Sequence, residues 1–297
     1  LSTPFRRAGL QGWAHGPAAR FHTYDHFDGR PIHLLLPPGY RDDGPPRPLL
    51  VLHDGDAVFW PGGAFGKTWG VPALLDALGA SIQAPIVLAV PPRDRAREYT
   101  HVDWAAGTRP WGGLPAYTAW LADRLIPWIR ANYAVDPARA AVVGASHGGL
   151  AALYNAAARP DTFGAAGAMS PSVWVEVDGW EHAQAPRPLR DGALLRLAEA
   201  PLRARAFKLW LCWGLVRVGG FHNARTEALA AARGRELADL CVAWGYRGQG
   251  IREGDAVDPA RDLWVYEDPT GAHEEEAWRR RLPYLLRAFF PQSPRAA

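Results

Sequence analysis

The segment Ala140-Ala-Val-Val-Gly-Ala-Ser-His-Gly-Gly-Leu150 constrains this chain more than any other. An apolar, β-branched run leads into Gly144-x-Ser146-x-Gly148, and an alanine-rich helix start, Leu150-Ala-Ala-Leu153, follows. Strand, turn and helix in that order require a turn so tight that the flanking positions carry little or no side chain. Such a turn holds the serine hydroxyl out at the carboxyl edge of a sheet. Gly-x-Ser-x-Gly alone is a weak signal, because small residues are common in loops. The strand before it and the helix after it make it informative.

A serine presented this way needs a sheet, and the rest of the chain supplies one. Ala19 to Tyr24 and Ile32 to Leu36 flank the turn signal Asp28-Gly29 and predict an antiparallel opening hairpin. Buried-strand patterns follow at Pro48 to His53, Pro85 to Val90, Ala140 to Gly144, Ala165 to Met169, Ala206 to Trp213 and Asp262 to Glu267. Helical patterns lie between them at Val71 to Leu78, Ala116 to Tyr133, Gly148 to Ala158, Asn223 to Trp244 and Glu274 to Phe290. This alternation predicts an α/β fold with a mostly parallel central sheet and helices on both faces. Pro127 sits inside the second helical pattern and is expected to kink or break it. With no repeat or linker, residues 1–297 read as a single domain, its core over about residues 20 to 290. Long loops rich in Trp, Pro and Gly at 91–113 and 174–191 are expected over the site.

Composition removes several functional classes. Hydrophobic residues make up 48% and charged residues 21%, which excludes a disordered tail or a fibre. No run of about eighteen apolar residues exists to span a membrane. The net charge of +3 comes from arginines scattered among acids, so nucleic-acid binding gains no support. Cys212 and Cys241 cannot build a disulfide framework or a cysteine-rich metal site, and read as two buried thiols or one optional bridge. Neither Asp54 and Asp56 nor His22 and His26 stand at metal-ligand spacing, so no metal and no cofactor is expected. The chain starts at Leu1, and residues 1–20 lack the apolar run of a signal peptide. Cytoplasmic residence and export after leader removal both stay open.

A serine hydroxyl is a poor nucleophile until a base accepts its proton. His273 is the one histidine after the last strand pattern, and it directly precedes the last helix, whose Trp278, Leu282 and Leu285 form an apolar face. His53 also ends a strand but precedes the serine in the chain, and reads as support for the site. Acyl transfer also needs two preorganised donors for the developing oxyanion. The backbone N–H of His147 is one candidate, and the turn Leu52-His-Asp-Gly-Asp56 offers the other at Asp56, with Gly55 allowing an unusual backbone.

The chain resembles the putative-esterase family of α/β-hydrolases. The residues that carry the resemblance are Tyr117-Thr-Ala-Trp-Leu-Ala-Asp-Arg-Leu-Ile-Pro-Trp-Ile129, the Gly-Ala-Ser-His-Gly-Gly-Leu turn, Arg159-Pro-Asp-Thr-Phe-Gly164 and Ser170-Pro-Ser-Val-Trp174. That family holds enterochelin esterases, feruloyl esterases, S-formylglutathione hydrolases and mycolyltransferases. Arg97-Glu98 and the Ser-x-Ser-x-Trp strand end are most similar to the enterochelin-esterase branch, which implies a cofactor-free serine esterase acting on siderophore-type esters. It also implies substrate-binding roles for Trp174 and Arg97. One departure stands out. The family's acid usually follows the glycine matching Gly214, yet the loop from Gly214 to Arg225 contains no carboxylate. Glu176, Asp178 or Asp268 could supply it, or the site could be a serine–histidine dyad.

Trp60, Trp104, Trp111, Trp174 and Trp180 fall in or near the loops over the nucleophile and suggest an aromatic cleft for a small ester with a ring-bearing acyl group, such as a catecholate or cinnamate. Arg93, Arg95, Arg97 and Arg217 could meet acidic substrate groups. Three readings share these residues: an esterase, an acyltransferase of the same family, and a homologue that kept the fold but lost turnover with its acid.

Overall fold

A computed structural model describes residues 6–8, 20–61, 66–103, 111–178, 186–216 and 224–292. Among these residues ten strands form one sheet: β1 (Arg6–Ala8), β2 (Arg20–Phe27), β3 (Arg30–Leu36), β4 (Arg47–His53), β5 (Ile86–Val90), β6 (Val135–Ala145), β7 (Ala165–Met169), β8 (Lys208–Gly214), β9 (Gly248–Ile251) and β10 (Leu263–Asp268). Their order is β1-β2-β3-β5-β4-β6-β7-β8-β10-β9. The first three pairings are antiparallel and the rest are parallel. The hairpin turns at Asp28 and Gly29, with φ of 48° and 80°, the paired left-handed positions that a tight two-residue turn requires.

Among the described residues, eight α-helices connect these strands: α1 (Val71–Leu78), α2 (Arg95–Glu98), α3 (Leu114–Trp120), α4 (Ile126–Asn132), α5 (His147–Ala158), α6 (Ala193–Arg203), α7 (Ala224–Ala243) and α8 (Glu275–Phe289). Strand alternation splits the core between the two faces. Leu49 and Val51 of β4 join a cluster with Leu121, Leu150, Leu194 and Leu237, from the helical stretches on one side. Leu50 and Leu52 join Val71, Leu75, Trp278 and Leu282, from α1 and α8 on the other. Period-two side chains on a sheet with both faces covered give this division directly.

The helix expected over Ala116 to Tyr133 is not broken at Pro127. Leu121–Leu125 instead forms a π-helical turn between α3 and α4, and Pro127 falls in the first turn of α4. A widened turn absorbs the missing N–H and the ring that a regular helix could not accommodate. Strand β6 starts five residues before the expected Ala140, with a register shift against β4 in its first half. The sequence patterns did not foresee α6, β9, β1 or the short α2, which lies inside the expected 91–113 loop. Helix α6 carries Pro201 inside it, and β9 is Gly-Gln-Gly-Ile at the sheet edge, where no alternation of apolar residues announces a strand. Cys212 and Cys241 are both free and buried, and burial pushes both thiols up, Cys241 to about 12. Trp104, Trp180, Arg217 and Gly62-Gly63 lie outside the described residues.

Candidate active site

Ser146 links β6 to α5 with φ 58° and ψ −122°, a conformation that disfavours any residue with a Cβ. The sequence forces it: a Cβ on Gly144 would run into the carbonyl oxygen of Gly148, so the chain can double back only if position 144 is bare. The serine N–H donates to the Met169 carbonyl at 2.9 Å, and its own carbonyl accepts from the N–H of Ser172 at 3.0 Å. The elbow is therefore fixed against the end of β7. The Ser146 and Ser172 hydroxyls lie 3.4 Å apart. His147 occupies the first helical position of α5, where an amide has no partner within its own helix.

The second candidate oxyanion donor sits on a loop bound to the elbow. Asp54, rather than Gly55, takes the left-handed conformation, with φ 54°. Gly55 is needed for a different reason: a Cβ there would meet Pro91 at 2.5 Å. The Asp54 carboxylate receives two bonds from Arg95, at 2.6 and 2.9 Å, and the same guanidinium donates to the carbonyl of Ala145 at 3.2 Å. One arginine thus ties the turn that carries Asp56 to the residue before the serine. Burial, with the charge of Asp54 beside it, pushes the Asp56 carboxyl above the ordinary carboxylate range. His53 is fully buried beneath this turn, 3.1 Å from the Tyr117 hydroxyl and 3.0 Å from the Asn155 side-chain nitrogen. Burial lowers its pKa to about 4, which keeps the imidazole neutral near pH 7.

His273 lies on the loop between β10 and α8, buried and packed edge-on against Trp278 at 5.2 Å. Its Nδ1 is 2.5 Å from Oε2 of Glu227. Glu227 comes from the first turn of α7 and is itself buried. Its other oxygen accepts from the Gly214 N–H at 2.7 Å and from the Ser170 hydroxyl at 3.4 Å. Burial works to raise this carboxyl's pKa, but the hydrogen bond and charge of His273, the Gly214 amide and Arg281 together outweigh it and hold Glu227 below its ordinary value.

The acid on His273 is thus Glu227, and the three carboxylates considered from sequence are committed elsewhere. Asp178 forms a two-pronged pair with Arg233 at 2.7 and 2.8 Å. Asp268 pairs with Arg281 at 3.0 Å and accepts from the Thr270 N–H. Glu176 accepts from the Ala193 N–H at 2.6 Å and faces Arg187 and Arg196. The loop after β8 does lack an acid through Arg225, and the first carboxylate lies two residues further on, inside the helical pattern. Extending the search by half a helical turn would have found it.

The substrate side is partly drawn. Trp174 is buried, with its ring 6.3 Å from that of His147, and Trp111 lies 5.6 Å from the same imidazole. Trp60 packs instead on Phe21, Phe59 and His33. Arg97 is exposed on α2, while its neighbour Glu98 is held by Arg30 at 2.6 and 2.9 Å.

A mostly parallel sheet with a serine elbow at its carboxyl edge, and a histidine between the last strand and the last helix, defines an α/β-hydrolase fold. The family model described as "Putative esterase" matches residues 28–289, and the chain belongs to that family. Among curated proteins it is 30% identical over 163 residues to the iron(III) salmochelin esterase of Escherichia coli O6:H1, a match covering 54% of this chain and 35% of that protein. It is 28% identical over 153 residues to protein YbbA of Bacillus subtilis, covering 48% of this chain and 57% of the relative. The matched regions thus span about a third and just over half of these relatives. Among solved structures, the siderophore hydrolase EstB from Aspergillus nidulans superposes with a TM-score of 0.61 at 19% identity, covering 96% of this chain and 98% of that one. No helix among the described residues is long and apolar enough to cross a membrane.

Proposed function

We propose that this chain is a serine esterase that works through an acyl-enzyme, with Ser146 as nucleophile, His273 as general base and Glu227 as the acid behind it. The observation that carries this reading is the buried 2.5 Å contact between His273 Nδ1 and Glu227, on the same sheet edge as the strained Ser146. With Nδ1 engaged by Glu227, Nε2 takes the serine proton as Oγ attacks the ester carbonyl, and returns that proton to the departing alcohol. Ionised Glu227 fixes the imidazole tautomer and stabilises the imidazolium that forms. The backbone N–H groups of His147 and Asp56 receive the oxyanion, and water then releases the acid in a second passage through the same groups. No step needs a metal or cofactor.

The substrates we propose are esters with an aromatic acyl part, of the kind found in catecholate siderophores. Trp111, His147 and Trp174 support this, offering flat apolar faces beside the nucleophile. The name of the salmochelin esterase relative points the same way. The idea of a homologue without turnover drew on the lack of an acid, and Glu227 removes that ground. The test is a panel of a catecholate trilactone, a feruloyl ester and a short-chain p-nitrophenyl ester. Ser146→Ala should lose roughly 10⁴-fold or more on every substrate cleaved. Slow reaction with the short ester alone would overturn the siderophore assignment, and undiminished activity of the variant would overturn the mechanism.

A further inference from the structure

Beneath the proposed triad lies a second set of buried polar groups that the reaction itself does not use. Arg281, on α8, is completely buried. Its Nε donates to Asp268 at 3.0 Å and its Nη1 to the Ser170 hydroxyl at 3.3 Å, with the Cys212 sulfur 3.7 Å from the same nitrogen. Ser170 also receives the indole N–H of Trp278 at 3.3 Å, and its own hydroxyl reaches Glu227 at 3.4 Å. Its backbone is in the left-handed region, φ 41°, and its N–H is bound to the Cys212 carbonyl at 2.6 Å. The backbone that carries the hydroxyl is therefore held in place. Having two donors directed at it, the hydroxyl has only its own proton to offer, and the carboxylate is the acceptor left to take it.

We infer that Ser170 is a positioning residue through which the buried Arg281–Asp268 pair steadies Glu227, and with it the tautomer of His273. The inference rests on the triad proposed above. The same ion pair also supports the histidine's loop: a side chain at Gly271 would collide with both Arg281 and Asp268. The Gly271 N–H donates to the Asp268 carbonyl at 3.2 Å, while its carbonyl accepts from Val216 at 3.1 Å. One guanidinium thus lies under both partners, reaching the acid through a hydroxyl and the histidine through a turn. A purely apolar floor would leave Glu227 with only the Gly214 amide and His273 to hold it.

Among the described residues, the groups facing Glu227 are His273 from the β10–α8 loop, the Gly214 amide from β8, Ser170 from the end of β7 and, behind it, Arg281 with Asp268 and the Cys212 thiol. Removing the Ser170 hydroxyl deletes a donor to the carboxylate and makes that carboxylate more basic. With a more basic carboxylate behind the proposed base, the ascending limb of kcat/KM against pH moves up.

The test compares Ser170→Gly, which also relaxes the left-handed backbone, with Ser170→Ala, which keeps the Cβ. An effect common to both comes from the hydroxyl rather than from the backbone. Both should lower kcat about tenfold, with KM for a p-nitrophenyl ester within about twofold, and raise the ascending limb by about half a pH unit. Arg281→Lys, which keeps the charge but loses the fork, should slow turnover in the same direction and add little when combined with Ser170→Ala. Wild-type kcat with an unmoved limb in both serine variants, or fully additive losses in the double variant, would overturn the inference. Ser146→Ala run alongside separates the two failures: if it stays active, the triad reading itself falls, whereas if it is dead and the Ser170 variants are normal, only the positioning role falls.

Discussion

The two halves of the proposed site are held by different forces. On the nucleophile side, Ser146, His147 and the Asp54–Ala57 turn are fixed mainly by backbone: a strand end, a helix start, a bare glycine where two chain segments touch, and one arginine bridging them. On the base side, His273 and Glu227 are 46 residues apart and meet only through tertiary packing, over a floor of buried charge made by Arg281, Asp268 and the Ser170 hydroxyl. Backbone constraints leave their mark in the order of small residues along the chain. Buried ion pairs leave none, because any of several carboxylates could fill the role until the fold selects one.

This contrast can be broken most sharply at Glu227. Glu227→Gln keeps the side chain's shape and its acceptor for the Gly214 amide, but permits the wrong imidazole tautomer. It should cut kcat by about 10³- to 10⁴-fold on a p-nitrophenyl ester, while Glu176→Gln and Asp178→Asn leave the chemistry within about threefold. A large loss at either of the latter would relocate the acid and reverse the comparison.

The halves should also differ in how acid unfolds them. The folded pKa of His53 lies at about 4, below its ordinary 6.5, so between those values the unfolded chain binds the extra proton. Stability from this group is complete above pH 6.5 and is lost as the pH falls toward 4, about 3 kcal/mol in all. Glu227 is likewise depressed, from 4.5, so its contribution is complete only above that value and fades at lower pH. Denaturant melts of His53→Gln should therefore vary less with pH between 4 and 6.5 than wild type, and those of Glu227→Gln should differ from wild type mainly above about pH 4.5, the difference closing as the pH falls below that value.

Smaller effects refine the picture on the nucleophile side. Arg95→Met removes the tie between the Asp54 carboxylate and the Ala145 carbonyl and should lower kcat about tenfold with an unchanged far-ultraviolet spectrum. Trp174→Ala should raise KM for an aryl ester roughly three- to tenfold while leaving a short acyl ester almost unaffected, as judged from paired Michaelis curves. Equal effects on both esters would make Trp174 part of the packing and not of substrate recognition.

How far the sequence foretells this molecule follows the same division. The hairpin at Asp28-Gly29, the parallel strands and the elbow were legible because period and turn chemistry act locally. Helix α1 matches its pattern, Val71 to Leu78, residue for residue. The proposed acid was missed by two residues, since a glutamate in a helix's first turn looks like ordinary capping charge until the fold turns it inward against His273. Strand β9 was missed because pairing with β10, not its own Gly-Gln-Gly-Ile sequence, makes it a strand. Pro127 marked a local interruption of the helix but not its form: the π-helical turn before it depends on i to i+5 bonding that no local pattern advertises.

The most direct test of the central claim is the rate and place of phosphonylation by a fluorophosphonate, followed by intact mass and peptide mapping. The account predicts a single adduct on Ser146, forming at least about a hundredfold more slowly in both His273→Ala and Glu227→Gln, since both deprive the serine of an oriented base. An adduct on another residue, or equal rates in all three proteins, would contradict it.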